Sequence, residues 1–224
     1  MNTDNTISDR VKLNIDLAKR SLVDTIYDQA ILEGVATTFA DTASIIEGGK
    51  VNNMTADDVM KIVNLKRAWQ FILGEGAITS PTDFALITEI NKIVEDGFYY
   101  TAGQIRTVPV KIGGTLWQPP LPLEADVGEE LEKITQDSTC DAASTAISLL
   151  LYVMKRQIFI DGNKRTAVIF ANHYLISHGA GLIVIPADKV EQFKRLLVDY
   201  YQDEKTKSAI GDFLGQECLI KMPA

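Results

Sequence analysis

The stretch of sequence that decides the fold reads QIFIDGNKR and spans residues 157–165. Strong helical spacing precedes it over about 140–156 and follows it over 164–178, so it is a loop that leads into a helix N-terminus. Glycine and asparagine accept unusual backbone angles. Successive N–H groups of such a loop can converge into a concavity that binds anions, helped by the positive end of the helix dipole. The stretch therefore predicts a phosphate-binding loop.

The charged side chains of this loop suit a phosphate ligand. Asp161 could hold a divalent cation that bridges phosphate oxygens, while Lys164 and Arg165 can donate charge-assisted hydrogen bonds. The alternative interpretation is structural, because Asp-Gly-Asn is also an ordinary turn and helix cap, and Lys155–Arg156 can complement a helix C-terminus. From these residues alone, both interpretations stay open.

Composition limits the class of protein. The 224 residues include 22 basic and 30 acidic side chains, which give a net charge of −8, and 46% of the residues are hydrophobic. Such a chain can bury a core, and its net charge disfavours nucleic acid and anionic membranes as partners. The chain has only two cysteines, and its opening is unlike a signal peptide. Its apolar runs are far shorter than the roughly 20 residues that a membrane-spanning helix needs. These features predict a cytoplasmic protein.

Helical spacing covers most of the chain. The pattern predicts one long helix from Ser8–Asp9 to Glu33, capping signals at Thr55 and at Ser80–Pro81, and further helices over about 35–46, 55–73, 80–97, 123–136, 140–156, 164–178, 187–202 and 205–220. One segment differs. Between Gly103 and Pro120 apolar residues alternate around a Gly113–Gly114 turn, which predicts an isolated β-hairpin.

Two motifs together resemble the Fic/Doc (Fido) family. Residues 157–165 are similar to its signature, His-x-Phe-x-Asp/Glu-Gly-Asn-Gly/Lys-Arg, and residues 103–120 resemble the β-hairpin flap over its active site. The resemblance covers roughly residues 40–215 and implies an all-α fold with one β-hairpin flap. It divides the chain into an N-terminal helical extension, 1–39, and a Fic/Doc domain, 40–224.

The resemblance implies Mg²⁺ and ATP, or another nucleotide, as cofactors. Asp161 would bind the magnesium, Gly162 and Asn163 would form the anion hole, Arg165 would hold the phosphates, and Phe159 would anchor the loop in the core. Members of the family transfer AMP (AMPylation) or another phosphate-containing group to a hydroxyl of a target protein.

The flap implies a protein partner. By the same resemblance, a target protein would dock on residues 103–118 by adding a strand beside Val110 and Ile112. Arg106 would either support the flap or be solvated.

The most important departure from the family pattern is Gln157, which stands where the catalytic histidine belongs. Glutamine has no proton-accepting equilibrium near pH 7, and losing a general base lowers a rate on the order of 10²–10⁴. The two histidines, His173 and His178, are expected to be core or helix-face residues, and His173 would lie roughly 13 Å along the helix from Lys164. We therefore expect weak or lost catalysis, as in a pseudoenzyme.

Three further positions change the expected chemistry. Lys164 matches the Doc branch of the family, which is associated with toxin–antitoxin pairs, and Val168 stands where many AMP-transferring members have a second arginine. Glu47 resembles an inhibitory glutamate that has lost this arginine as its partner. It could still reach Lys164 or Arg165, or it could simply precede a helix stop.

Two functions from different classes remain open. One is a Fic/Doc-type nucleotidyltransferase or phosphotransferase in which Gln157 orients the nucleophile. The other is a non-catalytic nucleotide- or peptide-binding regulatory protein. Asp161, Asn163 and Arg165 favour a retained ligand, whereas Gln157 and Val168 favour lost catalysis.

Overall fold

The computed structural model describes residues 7–221, and most of these are helical. The helices are α1 (Asp9–Arg20), α2 (Leu22–Leu32), α3 (Phe39–Ile46), α4 (Ala56–Ile72), α5 (Glu75–Ile78), α6 (Phe84–Val94), α7 (Glu124–Thr135), α8 (Ala142–Arg156), α9 (Asn163–Ser177), α10 (Val190–Gln202) and α11 (Lys207–Phe213). Short 3₁₀ turns precede α10 and α11, and a π-helical turn, Leu214–Cys218, follows α11. The predicted all-α fold is confirmed.

The small β component lies in a different place from the prediction. Strands β1 (Leu182–Ile183) and β2 (Leu219–Ile220) pair antiparallel, with Leu182 opposite Ile220. Among residues 7–221, the segment 103–118 forms turns and extended chain but no paired strands. Pro109, Pro119 and Pro120 explain this difference, because proline lacks the N–H group that a β-ladder needs.

Three predicted helix boundaries were wrong. The helix expected over about 205–220 ends as α11 at Phe213, and Leu219–Ile220 form β2 because they pair with Leu182–Ile183. The helix expected over 9–33 divides at Ser21, whose hydroxyl donates to the carbonyl of Leu17 at 2.9 Å. Asp83, rather than Ser80, caps α6, because its carboxylate accepts the Leu86 N–H at 3.0 Å. The predicted cap at Thr55 is confirmed: its hydroxyl oxygen accepts the N–H of Asp58.

Helix α9 lies at the centre of the core and determines where the loop sits. Nearly all of its residues are buried, on every side, as expected for a helix surrounded by other elements. It packs most extensively on α8, and also on α6 and α4. The loop 157–162, which joins α8 to α9, is therefore held between two well-packed helices.

The N-terminal helices pack against this central layer. Asn14 of α1 accepts the Gly181 N–H at 2.7 Å, and Gln29 of α2 donates to the carbonyl of Arg165 at 2.9 Å. Residues 1–6 of the predicted extension lie outside the described residues, and the division at residue 39 stays a prediction. Over residues 7–221, no helix has the length and apolar character needed to cross a membrane.

Candidate functional site

Two left-handed backbone positions shape the loop between α8 and α9. Gln157 ends α8 with φ 48° and Gly162 precedes α9 with φ 72°. Between them Asn163 clamps the chain, because its Oδ1 accepts the Phe159 N–H at 3.0 Å and its Nδ2 donates to the Phe159 carbonyl at 2.8 Å. Phe159 is buried in the core. The side-chain amide of Asn163 thus fixes the loop. A ligand would therefore be bound by the backbone N–H groups at the start of α9 and not by this amide.

Both polar ends of the Gln157 side chain are engaged by the chain itself. Its Nε2 donates to the carbonyl of Met154 at 2.6 Å, and its Oε1 accepts from Nδ2 of Asn163 at 3.2 Å. Its carbonyl accepts from Nε of Arg106 at 2.6 Å. The residue in the histidine position is therefore held in place and is neutral.

A cavity of about 330 Å³ lies over this loop. Its lining residues come from the flap, from the loop and the start of α9, from α10 and from Glu33 at the end of α2. The lining residues are Glu33, Val110, Lys111, Ile112, Gly113, Gln157, Ile160, Asp161, Asn163, Lys164, Lys194, Leu197, Val198 and Tyr201. The structure thus brings the flap residues Val110 and Ile112 over the loop, as the resemblance implies.

A larger cavity, about 870 Å³, lies at another part of the surface, where Pro81, Glu132, Tyr174 and His178 are among its lining residues. It contains none of the residues that the sequence singled out for phosphate binding. His173 is buried nearby and bonds Thr82 and the Ala77 carbonyl, each at 2.8 Å. Burial lowers the pKa of His173, which agrees with the expectation of a core histidine.

The expected phosphate-binding cations already face carboxylates. The guanidinium Nη2 of Arg165 lies 2.7 Å from Oε1 of Glu95 and 3.8 Å from Oδ1 of Asp161. Oε2 of Glu33 lies 3.5 Å from Nε of Arg165, and its Oε1 lies 3.4 Å from Nζ of Lys164. A phosphate entering this place must compete with Glu33.

Glu95 is a buried carboxyl group behind the loop. It is 2% exposed, and its burial raises the pKa to about 7 despite the opposing effect of Arg165, with Asp161 and Glu33 raising it further. Its carboxylate occupies the space that a side chain at Gly162 would need. Near neutral pH, Glu95 is therefore partly protonated and only partly neutralises the positive charge of Arg165.

The structure places Glu33, rather than Glu47, beside the cations of the loop. Glu47 is exposed at the end of α3, and the ion pairs formed among residues 7–221 do not include it. Glu33 ends α2 and is followed by Gly34, so the two glutamates have the same local sequence pattern. Glu33 therefore faces Lys164 and Arg165 in the way that was considered for Glu47, and only packing distinguishes the two; the inhibitory role of Glu47 stays a prediction.

Arg106 supports the flap and is not solvated. It is buried, and beyond Gln157 its guanidinium donates to the carbonyls of Val108 at 2.9 Å, Pro119 at 3.2 Å and Pro120 at 2.7 Å. One side chain thus connects both arms of the flap to the end of α8. These bonds replace the strand pairing that the sequence predicted.

Tyr201 is a site residue that sequence reasoning missed, as are Glu33 and Glu95. It is buried on α10, lines the cavity close to Gln157, and stacks on Trp117 with ring centres 5.7 Å apart. Burial raises the pKa of its hydroxyl, so the group stays protonated. Its helical spacing in the sequence marks only an apolar face, which is why it carried no functional signal.

Asp161 fits a metal that arrives with a phosphate. Its side chain is about half exposed, and its Oδ1 accepts the Gly162 N–H at 2.7 Å. Over residues 7–221, no group of three or more His, Cys, Asp or Glu side chains could hold a metal ion. Mg²⁺ commonly uses one or two carboxylates together with phosphate oxygens and water. Asp161 can supply one such carboxylate, so the residues present fit a Mg²⁺ that binds together with a phosphate.

Comparisons with known proteins agree with the fold and the motif. Residues 81–175 match the model of the Fic/DOC family. The structure is similar to a Fic domain containing signaling protein from Bacteroides thetaiotaomicron, with a TM-score of 0.75 at 16% identity over 94% of this chain and 86% of that one.

Other solved structures are also similar. Fic-1 from C. elegans gives a TM-score of 0.67 at 16% identity, over 95% of this chain and 67% of that one. A Fic family protein from Desulfovibrio desulfuricans gives a TM-score of 0.65 at 14% identity, over 96% of this chain and 76% of that one. No curated protein matches the chain. The match to the Fic/DOC family thus covers residues 81–175, which include the loop between α8 and α9, and the solved structures share the fold.

Proposed function

We propose that this protein binds a magnesium–nucleotide at residues 161–165, and that its capacity for the family's transfer reaction is weak or lost. The observation that carries the proposal is the cavity over the loop, which Asp161, Asn163 and Lys164 line together with a Gln157 side chain held by Asn163 and Met154. Arg165 is buried behind this lining.

Each part of the loop has a physical role in this proposal. The N–H groups at the start of α9 and the helix dipole attract a phosphate, and Lys164 and Arg165 add charge-assisted hydrogen bonds. Asp161 would hold Mg²⁺, which would neutralise phosphate charge. Glu33 competes for the same cations, so it lowers the affinity for the anion.

Catalysis is limited at one position. A transfer to a hydroxyl needs a group that accepts its proton, and Gln157 cannot do so near neutral pH. Its amide already bonds the protein on both sides, so it can orient a hydroxyl only by giving up one of these contacts. The proposed remaining activity is therefore smaller by on the order of 10²–10⁴ than with a histidine base.

The second candidate is a non-catalytic regulator that binds a protein segment, and the flap favours it. Over residues 109–118 the backbone forms no backbone–backbone hydrogen bonds within the described part of the chain. Val108, which precedes this segment, and Leu116, which lies within it, are exposed. An extended segment of a target could add along such a chain, with its main-chain groups as partners, as we propose for residues 103–118.

Calorimetry with magnesium and ATP tests the nucleotide site. We compare the protein with an Asp161→Ala, Arg165→Ala double variant, which should lose measurable binding. The matched control is Asp212→Ala, Arg195→Ala, which removes the same charges from exposed helix positions and should bind normally. Equal binding by the protein and the Asp161, Arg165 double variant would refute the site.

A further inference from the structure

A further cavity, of about 460 Å³, has no lining residue in common with the cavity over the loop. Its lining comes from the second arm of the flap, from α7, from α8 and from the end of α10. The lining residues are Trp117, Pro120, Glu130, Lys133, Ile134, Tyr152, Lys155, Arg156, Tyr200 and Glu204. Its volume falls within the range of small-molecule sites, about 300–1,000 Å³. The proposed nucleotide site uses none of these residues.

Half of this lining is aromatic or aliphatic. Trp117, Tyr152 and Tyr200 contribute rings, and Pro120 and Ile134 contribute aliphatic surface. Aromatic side chains bury a large area against an apolar ligand and favour stacked or edge-to-face contacts with another ring. A ligand with an aromatic body therefore fits these walls.

The other half of the lining is charged, with three cations and two carboxylates. Nζ of Lys155 lies 2.7 Å from Oε1 of Glu204 and donates to the carbonyl of Tyr200 at 2.9 Å. Lys133 is exposed, and its Nζ lies 3.7 Å from Oε2 of Glu129, which is outside the lining. Both lysines of the lining therefore already face a carboxylate.

Arg156 is the cation of this lining whose hydrogen bonds are not filled. Within residues 7–221, its Nε is fully buried and has no hydrogen-bond partner. Two carboxylates face it beyond hydrogen-bond distance, because Oε2 of Glu130 lies 3.6 Å from Nε and Oδ2 of Asp126 lies 3.9 Å from Nη2. Glu130 is also shared, since the same Oε2 accepts the hydroxyl of Tyr152 at 2.6 Å. The guanidinium is thus largely removed from water, with a side chain only 16% exposed, and lacks close acceptors.

We propose that this cavity binds a small aromatic carboxylate, with the ring among Trp117, Tyr152 and Tyr200 and the carboxylate on Arg156. A guanidinium is a planar fork of N–H donors that matches a carboxylate in a bidentate geometry. Such a ligand supplies the close acceptors that the chain does not supply, and its ring covers the apolar part of the lining. The inference is independent of the proposed nucleotide site, because the two cavities share no residue.

Cinnamate is the probe, and cinnamamide and acetate are the matched compounds that lack the charge or the ring. Each is titrated into the full-length protein and followed by ligand-observed NMR. Cinnamate should bind with a Kd on the order of 1 mM, as expected for so small a ligand. Cinnamamide should bind at least about fivefold more weakly, and acetate should show no measurable binding at the same concentration.

Two substitutions should change the affinity in opposite directions. Arg156→Met should weaken cinnamate binding by about five- to tenfold, because it removes the guanidinium. Glu130→Gln should strengthen it by about two- to fivefold, because it removes a charge that competes for Arg156, and a folding defect does not produce such a gain. The controls are Arg195→Met and Glu132→Gln, which change exposed side chains outside this lining and should alter the affinity by less than about twofold.

Four results would overturn the inference. They are no binding of cinnamate, equal binding of cinnamate and cinnamamide, unchanged affinity in both the Arg156 and Glu130 variants, or an equal change in the controls. The Asp161→Ala, Arg165→Ala variant separates this site from the nucleotide site, because it should lose ATP and keep cinnamate. Loss of cinnamate in that variant would mean that the probe binds over the loop, which refutes the aromatic-carboxylate site and leaves the nucleotide site standing.

Discussion

Nδ2 of Asn163 lies 3.2 Å from Oε1 of Gln157, and the same Nδ2 donates to the carbonyl of Phe159. One buried amide therefore links Gln157 to the loop that we propose binds phosphate. Because that amide also fixes the loop, the orientation of Gln157 depends on the conformation of this segment. A change at residue 157 is thus expected to alter reactivity more than nucleotide affinity.

Glu33→Gln should raise the affinity for magnesium–ATP by about five- to tenfold, because it removes a largely buried negative charge that faces Lys164 and Arg165. The matched control is Glu47→Gln, which changes an exposed glutamate before an equivalent glycine and should alter affinity by less than about twofold. Calorimetry measures both. A larger effect at Glu47 than at Glu33 would contradict the proposal that Glu33 competes with the phosphate for Lys164 and Arg165.

Gly162→Ala should destabilise the protein by about 2–4 kcal/mol. The backbone at residue 162 has a positive φ, which alanine disfavours, and the new methyl group would meet the carboxylate of Glu95. Gly48→Ala is the control: its φ is 82° but the space around it is open, so we expect only about 1 kcal/mol. Urea unfolding measures the difference. Equal losses would mean that Glu95 does not pack against the loop.

Arg106→Met should unfold or loosen the flap while keeping much of the side-chain volume. The substitution leaves the carbonyls of Gln157, Val108, Pro119 and Pro120 without their donor, at a cost of about 2–4 kcal/mol. Hydrogen exchange should show faster exchange over 103–120 than in the wild type. Exposed Lys111→Met is the control, and unchanged exchange in the Arg106 variant would refute the role of this arginine.

Glu95 gives stability a specific pH dependence. Its folded pKa, about 7, exceeds the ordinary value of 4.5, so the folded state binds more protons between these values. The contribution of Glu95 to the free energy of unfolding is then fully present below about pH 4.5 and falls as the pH rises to about 7. Relative to Glu95→Gln, the wild type should lose about 2–3 kcal/mol between about pH 5 and pH 8 in urea unfolding. Parallel pH curves for the two proteins would contradict this.

Local sequence signals predicted the helices and the loop, because both depend on neighbouring residues. Thr55 capped its helix as expected, and residues 157–165 lie between α8 and α9 as expected. The pairing of the flap could not be predicted from alternation, because Arg106 reaches carbonyls 13 and 14 residues further along the chain.

The carboxylates that pair with Lys164 and Arg165 could not be predicted from local sequence either. Glu33 and Glu47 both precede a glycine at a helix end, and only the packing of α2 against α9 brings Glu33 to the loop. Glu95 is one of 30 acidic residues, with no motif around it. The roles of these side chains are set by tertiary structure.

The most direct test of the account is the transfer activity of Gln157→His. Histidine supplies a base with a pKa near 6.5 at this position, and it tolerates the left-handed backbone there better than most residues. With labelled ATP and cell lysate as the source of targets, we expect transfer to rise by about 10²–10⁴, while calorimetry shows ATP affinity unchanged within about twofold. Rapid transfer by the wild type, unchanged or reduced by the histidine, would contradict the claim that Gln157 limits catalysis.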